Sequence, residues 1–142
     1  MKPETRINII VADDNAQVAG VLSEILTEQG HKVRTAIDGN AVLSGFRECV
    51  PDVLVTDLEM PGMSGFDLIP LVRQRFSRVA IIAMSGAYTP DNVPSCVVSD
   101  EFYPKGSGSI TLLLDMLARV RSRQRLGISL DHLGNSLSSE AR

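Results

Sequence analysis

The stretch Asp52-Val53-Leu54-Val55-Thr56-Asp57, followed at once by Leu58-Glu59-Met60-Pro61-Gly62-Met63-Ser64-Gly65, decides how this chain folds. Val53 to Thr56 is an unbroken apolar and β-branched run, the pattern of a strand buried on both faces, and the Pro and Gly behind it impose a turn. Asp57 is therefore delivered to the C-terminal end of a buried strand. A second run, Ile7-Asn8-Ile9-Ile10-Val11-Ala12, delivers Asp13 and Asp14 in the same way. Three carboxylates gathered at two strand ends repel one another, and they stay ionised together only if a cation joins them.

The flanking segments alternate in type. Residues 6–12 predict a first strand, and Asn15 caps a helix whose apolar face is Val18, Val21, Leu22, Ile25 and Leu26 before Gly30 ends it. Lys32 to Ala36 alternates as a second strand, and Asp38-Gly39-Asn40 leads into a helix through Ala41, Val42, Phe46 and Cys49. Residues 65–76 form a third helix that Pro70, lacking an N–H, should delay or kink. Arg78 to Met84 is a fourth strand ending at Ser85-Gly86, Glu101 to Pro104 is a fifth leading to Lys105, and the last helix runs from about Ser109 to Arg125. In residues 87–100, Pro94 cannot donate to the Pro90 carbonyl four positions back, so a helix there is short, irregular or absent.

Strands alternating with helical segments predict an α/β fold: a five-stranded, parallel, doubly wound sheet with helices on both faces. In the flavodoxin-like order 2-1-3-4-5, strands 1 and 3 are neighbours at the point where strand order reverses, which is where such sheets bind ligands. Asp13, Asp14 and Asp57 then share one crevice, and Ser85 and Lys105 border it. A hard divalent cation such as Mg2+ removes the carboxylate repulsion and keeps room for phosphate oxygens. The Lys105 charge and the Ser85 hydroxyl both suit phosphoryl oxygens, and a carboxylate can act as the nucleophile toward phosphorus.

Asp13-Asp14, Asp57, Ser85 and Lys105, each at a strand end in this order, together with the stretch from Asp57 to Gly65, closely resemble the CheY-like receiver domain of bacterial response regulators. The resemblance covers about residues 5–124 and leaves 125–142 as a tail expected to be flexible. It implies that Asp57 is the phosphoacceptor, charged from a phosphohistidine on a sensor histidine kinase or phosphotransfer protein. It also implies that Asp14, Asp57 and the Glu59 backbone carbonyl hold Mg2+, with Asp13 acting through a metal-bound water. Lys105 would grip the phosphoryl group, the backbone of Glu59 and Gly86 would contact it, Ser85 would be the switch hydroxyl, and Phe102 the aromatic that follows it. The Glu59 side chain, exposed, would tune the access of water. On this reading the chain catalyses only its own phosphorylation and dephosphorylation and signals to a downstream protein.

Three features depart from the family pattern. Gly106 follows Lys105 where a proline is usual, Phe102 stands where tyrosine is more frequent, and the two prolines disturb the fourth helix, part of the family's common output face. Composition sets further bounds. The chain has 142 residues, 44% of them hydrophobic, and a net charge of -3, which suits one domain and gives no electrostatic case for nucleic-acid binding. No segment approaches the roughly 20 apolar residues of a membrane span, and the start lacks a signal-peptide core, so a cytoplasmic protein is expected. Cys49 and Cys96 are not at a CxxC spacing and read as reduced structural thiols.

Several alternatives stand beside this reading. Arg119, Arg121, Arg123 and Arg125 recur every second residue, suited to a helix C-terminus, with an acidic partner or a second copy of the chain as the other reading. Leu130, Leu133 and Leu137 are spaced for either a frayed end or a docking helix. A stand-alone receiver is the leading expectation; a piece of a larger regulator or hybrid kinase, or a docking receiver independent of phosphorylation, are the alternatives. Asp57-Leu58-Glu59 resembles the DxD of haloacid-dehalogenase phosphatases only loosely, with Glu59 at the second position where that family needs a general acid, and the chain is short for that family. Two aspartates in the first strand-to-helix loop disfavour a flavin cradle.

Overall fold

A computed structural model describes residues 6–127. The elements are β1 (Asn8–Ala12), α1 (Ala16–Glu28), β2 (Lys32–Ala36), α2 (Gly39–Glu48), β3 (Val53–Asp57), α3 (Gly65–Arg75), β4 (Ala80–Ser85), β5 (Glu101–Pro104) and α4 (Ile110–Arg125). All five strands are parallel in the order β2-β1-β3-β4-β5, as the alternating pattern predicted. In register, Ala12 stands beside Thr56, Asp57 beside Met84, and Ser85 beside Pro104. The residues that follow the strands therefore emerge along one edge.

The central strands β1, β3 and β4 bury both faces, so their side chains alternate between two cores, while the edge strand β2 leaves Lys32 and Thr35 exposed. Ile9, Val11, Val53, Val55, Ile82 and Met84 pack beneath α1 and α4, which contribute Leu22, Leu26, Leu113 and Leu117. Ile10, Ala12, Leu54, Ile81 and Ala83 pack beneath α2 and α3, through Val42, Phe46, Leu68, Ile69 and Val72. Burying one such side chain completely contributes about 1.5–3 kcal/mol, and this double layer is what holds the strand ends in place.

The helix ends follow the sequence closely. Asn15 Oδ1 accepts from the N–H groups of Gln17 and Val18, Asp38 accepts from Ala41 N, and Ser109 Oγ accepts from Leu112 N. Gly30 follows α1 with φ 95°, the left-handed backbone that a glycine adopts without strain. No regular helix forms between β4 and β5: residues 86–100 are turns and bends. Tyr88, Val93 and Val97 from this segment still pack on the α2/α3 core.

Three expectations need correction. Helix α3 starts at Gly65 and continues through Pro70 to Arg75, so the proline does not delay its start. Only the hydrogen bond to the Phe66 carbonyl is forgone. Strand β4 begins at Ala80, because Val79 N donates to Phe76 O and closes a turn that takes up Arg78. Cys49 and Cys96 are exposed free thiols, so neither is a core residue. Arg123 and Arg125 do fall in the last turn of α4, and Arg119 and Arg123 in addition donate to the Glu101 carboxylate, at 2.8 and 2.5 Å. Burial would raise the Glu101 pKa, but the Arg119 and Arg123 hydrogen bonds outweigh it and hold the group below its usual range. The proposed tail after Gly127, with its three leucines, lies outside the described residues.

Gly65 is where the turn after β3 returns to the sheet, and its N–H donates to Leu58 O at 3.0 Å. A Cβ there would collide with the Asp57 carbonyl oxygen and stand 2.7 Å from Leu58 Cα, both backbone atoms that cannot swing aside. Gly65→Ala is expected to cost about 1–3 kcal/mol in urea unfolding, the usual range for overpacking. A midpoint within error of the parent would show that the turn has slack.

Candidate functional site

Asp57 ends β3 and is 4% exposed; Asp13, one residue beyond β1, is fully buried, while Asp14 is exposed. Carboxylate oxygens of all three lie within 4.8 Å of one another. The adjacent positions of β1 and β3 produce this convergence, and hard oxygen donors in such a set fit a hard divalent cation. Asp13 is also braced: its Oδ1 accepts from Asn15 N at 2.9 Å, and its own N–H donates to Ala36 O at 3.0 Å. One of its oxygens is thereby tied to the start of α1.

Lys105 reaches into the cluster from the end of β5. Its Nζ donates to Asp13 Oδ2 at 2.8 Å and to Asp57 Oδ2 at 3.2 Å. Its own N–H donates to Ser85 O at 2.9 Å, extending the β4–β5 pairing to the site. Burial pulls the Lys105 pKa down, but the hydrogen bond to Asp13 and the charge of Asp57 more than offset that and raise it. Asp57 is raised as well. Burial is the main cause and the Asp13 charge adds to it, while the Lys105 charge only partly counters them.

Gly106 does not release the lysine. The segment after it closes as a turn in which Gly108 N donates to Pro104 O at 2.6 Å and Tyr103 Oη donates to Gly108 O at 2.9 Å. A side chain at Gly108 would meet Pro104 O and the Tyr103 ring, both at 2.6 Å, so glycine is required for this closure. Tyr103 is buried on the α1/α4 side, whereas Phe102 is half-buried on the opposite side, as alternation along a strand requires.

Ser85 is 1% exposed and its hydroxyl is already engaged. Oγ accepts from Ala87 N at 2.9 Å and from Tyr88 N at 3.0 Å, and lies 3.5 Å from Glu59 Oε1. Glu59 is exposed, as expected, and its backbone N–H points to Asp57 Oδ1 at 3.4 Å. Gly86 directly follows the serine, with open space where a Cβ would stand. The Ser85 capping of the next turn and the bracing of Asp13 were both missed in the sequence. A serine two residues before an N–H is a common local cap, and that signal was available. The edge-on contact of the Tyr88 and Phe66 rings, with centroids 5.9 Å apart, had no local signal.

The sequence matches the response regulator receiver domain family over residues 9–101. This chain belongs to that family. Among curated relatives, Response regulator RR06 of Streptococcus pneumoniae serotype 2 is 29% identical over 116 residues, covering 81% of this chain and 54% of the relative. Among solved structures, chemotaxis response regulator CheY4 of Vibrio cholerae superposes with a TM-score of 0.72 at 26% identity, covering 80% of this chain and 97% of that one. Response regulator TrrA of Thermotoga maritima, solved in complex with Mg2+ and BeF, gives 0.71 at 28% identity and the same coverage. The chain spans about half the length of the curated relatives that it matches over most of its own length. It is a receiver domain of the two-component signalling type.

The raised Asp57 pKa has a definite consequence for stability. The folded state holds this proton more tightly than the unfolded chain, so stability falls as pH rises from the ordinary carboxylate value of 3.8 through the raised value, and the penalty is complete above it. Asp57→Asn removes a charge that burial disfavours. The variant is expected to melt at a higher temperature than the parent at neutral pH in metal-free buffer, with the gain shrinking as pH falls toward 3.8. A gain that is constant across that range would contradict the electrostatic origin.

Proposed function

We propose that the receiver accepts a phosphoryl group on Asp57 from a phosphohistidine of a sensor histidine kinase or phosphotransfer protein. The observation that carries this reading is the Lys105 ammonium lying between Asp13 and Asp57 in a cluster of three carboxylates. A carboxylate oxygen of Asp57 attacks phosphorus, the P–O bond forms, and the P–N bond to the departing imidazole breaks. The electron pair stays on that nitrogen, which takes up a proton. Attack of water on phosphorus later returns the free carboxylate, so the chain acts only on its own phosphoryl group.

Asp14, Asp57 and the Glu59 carbonyl, with Asp13 through water, would hold Mg2+, the ion named in the TrrA complex. Bound there, it would supply charge neutralisation among the carboxylates and phosphoryl oxygens. The work of this chain's residues is positioning and electrostatics, since phosphoryl transfer asks little covalent work of the protein. Lys105 follows the charge from the carboxylate to the phosphoryl oxygens. Backbone N–H groups of Glu59 and Gly86 add hydrogen bonds to the phosphoryl group, and Ser85 turns its hydroxyl toward the same group, with Phe102 moving behind it.

The partner that reads this change is a protein, and cytoplasmic action is consistent with a phosphohistidine donor. No helix among the described residues is long and apolar enough to cross a membrane.

Incubation with acetyl phosphate and Mg2+ is expected to add one phosphoryl group by intact mass, absent in Asp57→Asn and strongly reduced without the metal. An adduct that survives in Asp57→Asn would move the acceptor elsewhere, and no adduct in the parent would leave a receiver that only docks. Phosphorylation should also change hydrogen exchange in residues 85–108 more than in any other segment, because the Ala87 and Tyr88 N–H groups lose their acceptor when Ser85 Oγ turns away. Equal protection across that segment in the two states would count against the Ser85 switch.

A further inference from the structure

At the opposite pole of the sheet from Asp57, under the N-terminal ends of β4 and β5, lies a cavity of about 490 Å³. Its walls include Arg73, Arg78, Arg121 and Arg123, against only the two carboxylates of Asp52 and Asp100. Both carboxylates are already committed: Asp52 accepts from Asn8 N at 2.8 Å, and Asp100 accepts from Ile81 N at 2.7 Å and Arg73 Nη2 at 3.1 Å. Arg123 is held by Glu101. An excess of positive charge remains around the cavity.

The arginines are also short of acceptors. The Arg73 side chain is only 8% exposed, yet its Nε and Nη1 are buried with no hydrogen-bond partner, and so is Arg121 Nε. A buried charged donor without an acceptor carries the full cost of desolvation, which an ordered water or an ion relieves. Gln124 lines the same cavity. Its Nε2 is fixed by the carbonyls of Asp52 and Arg78, at 2.7 and 3.2 Å, which leaves its Oε1 as a buried acceptor without a donor. The cavity thus combines several guanidinium donors with one neutral acceptor.

We propose that this cavity binds a small phosphate-bearing ligand, separately from the chemistry at Asp57. Guanidinium groups match tetrahedral oxyanions by paired N–H donors, and the volume falls in the range of small-molecule sites. A hydroxyl on the ligand, or a protonated phosphate oxygen, answers Gln124 Oε1. The residues used here take no part in the phosphoryl site, so the two can fail independently.

The test is a titration of the full chain with pyrophosphate, without Mg2+ and at constant ionic strength, followed by NMR of arginine Nε–H and backbone N–H signals. The expected result is saturable movement of the Arg73 and Arg121 Nε–H signals and of the Ala80 and Asp100 amides. Affinity should drop about threefold in Arg78→Gln, an exposed position whose replacement leaves the core intact, and at least tenfold in Arg78→Gln/Arg121→Gln. Movement that never saturates, that centres on Asp57 and Lys105, or that is unaltered in Arg78→Gln overturns the proposal.

Discussion

The Lys105 ammonium between Asp13 and Asp57 is the contact on which the rest of the structure turns. Two buried carboxylates on neighbouring strands, with a third at the surface within 4.8 Å, would otherwise repel across a medium that screens them poorly. At about 4 Å and an effective dielectric near 20, each unit-charge pair is worth about 4 kcal/mol, comparable with a sizeable part of a domain's net stability. One ammonium at 2.8 and 3.2 Å offsets much of that. It does so from the end of β5, two strands away from β3, so the outer part of the sheet is tied to the electrostatics at its centre. The same residue is the natural counter-charge for any anion that forms on Asp57, which makes the contact that steadies the resting site also the one that must rearrange.

The segment between β4 and β5 shows how the fold tolerates a missing helix. Its start is fixed by Ser85 Oγ, which caps the Ala87 and Tyr88 N–H groups, and its end by Asp100, which receives Ile81 N and the Arg73 guanidinium. Between those ties Tyr88, Val93 and Val97 cover the α2/α3 core in place of a helical face. A surface built from turns has fewer backbone hydrogen bonds to lose than a helix does, and such segments open at lower free energy. The ion pair with Arg73 lies on the flank of β4 farthest from Ser85, so this strand connects the two ends of the irregular segment with a rigid rod.

Much of this was legible because the decisive residues are local. A buried apolar run ending in an aspartate, repeated twice, needs only strand periodicity and the parallel-sheet rule to bring Asp13, Asp14 and Asp57 together. Pro90 and Pro94 removed the fourth helix for a reason visible in their spacing of four. Pro70 does not delay the helix, because tertiary packing of Leu68, Ile69 and Val72 outweighs one lost hydrogen bond in a helix of this length. Arg119 and Arg123 were read as favourable to a helix end; that they close on Glu101, 18 and 22 positions away, depends on how α4 lies against β5. The cavity at the far pole was invisible for the same reason: Arg73, Arg78 and Arg121 belong to three segments that meet only in the folded chain.

Ser85 sets the balance of the proposed switch. In the resting arrangement its oxygen accepts two backbone N–H bonds at 2.9 and 3.0 Å, while its own proton has only a long 3.5 Å contact with Glu59. Turning toward a phosphoryl group gives up two neutral bonds of roughly 1 kcal/mol each and gains one charge-assisted bond of about 1.5–3 kcal/mol. The two sums nearly cancel, so serine alone commits to neither state. The decision then falls to what else changes with it: the Lys105 charge moving off Asp13, and the freed Ala87 and Tyr88 N–H groups finding water or new acceptors. Because the segment they belong to has no helix to break, that second cost is small. An irregular segment between β4 and β5 therefore lowers the barrier that a well-formed helix would place in the way of the same rotation.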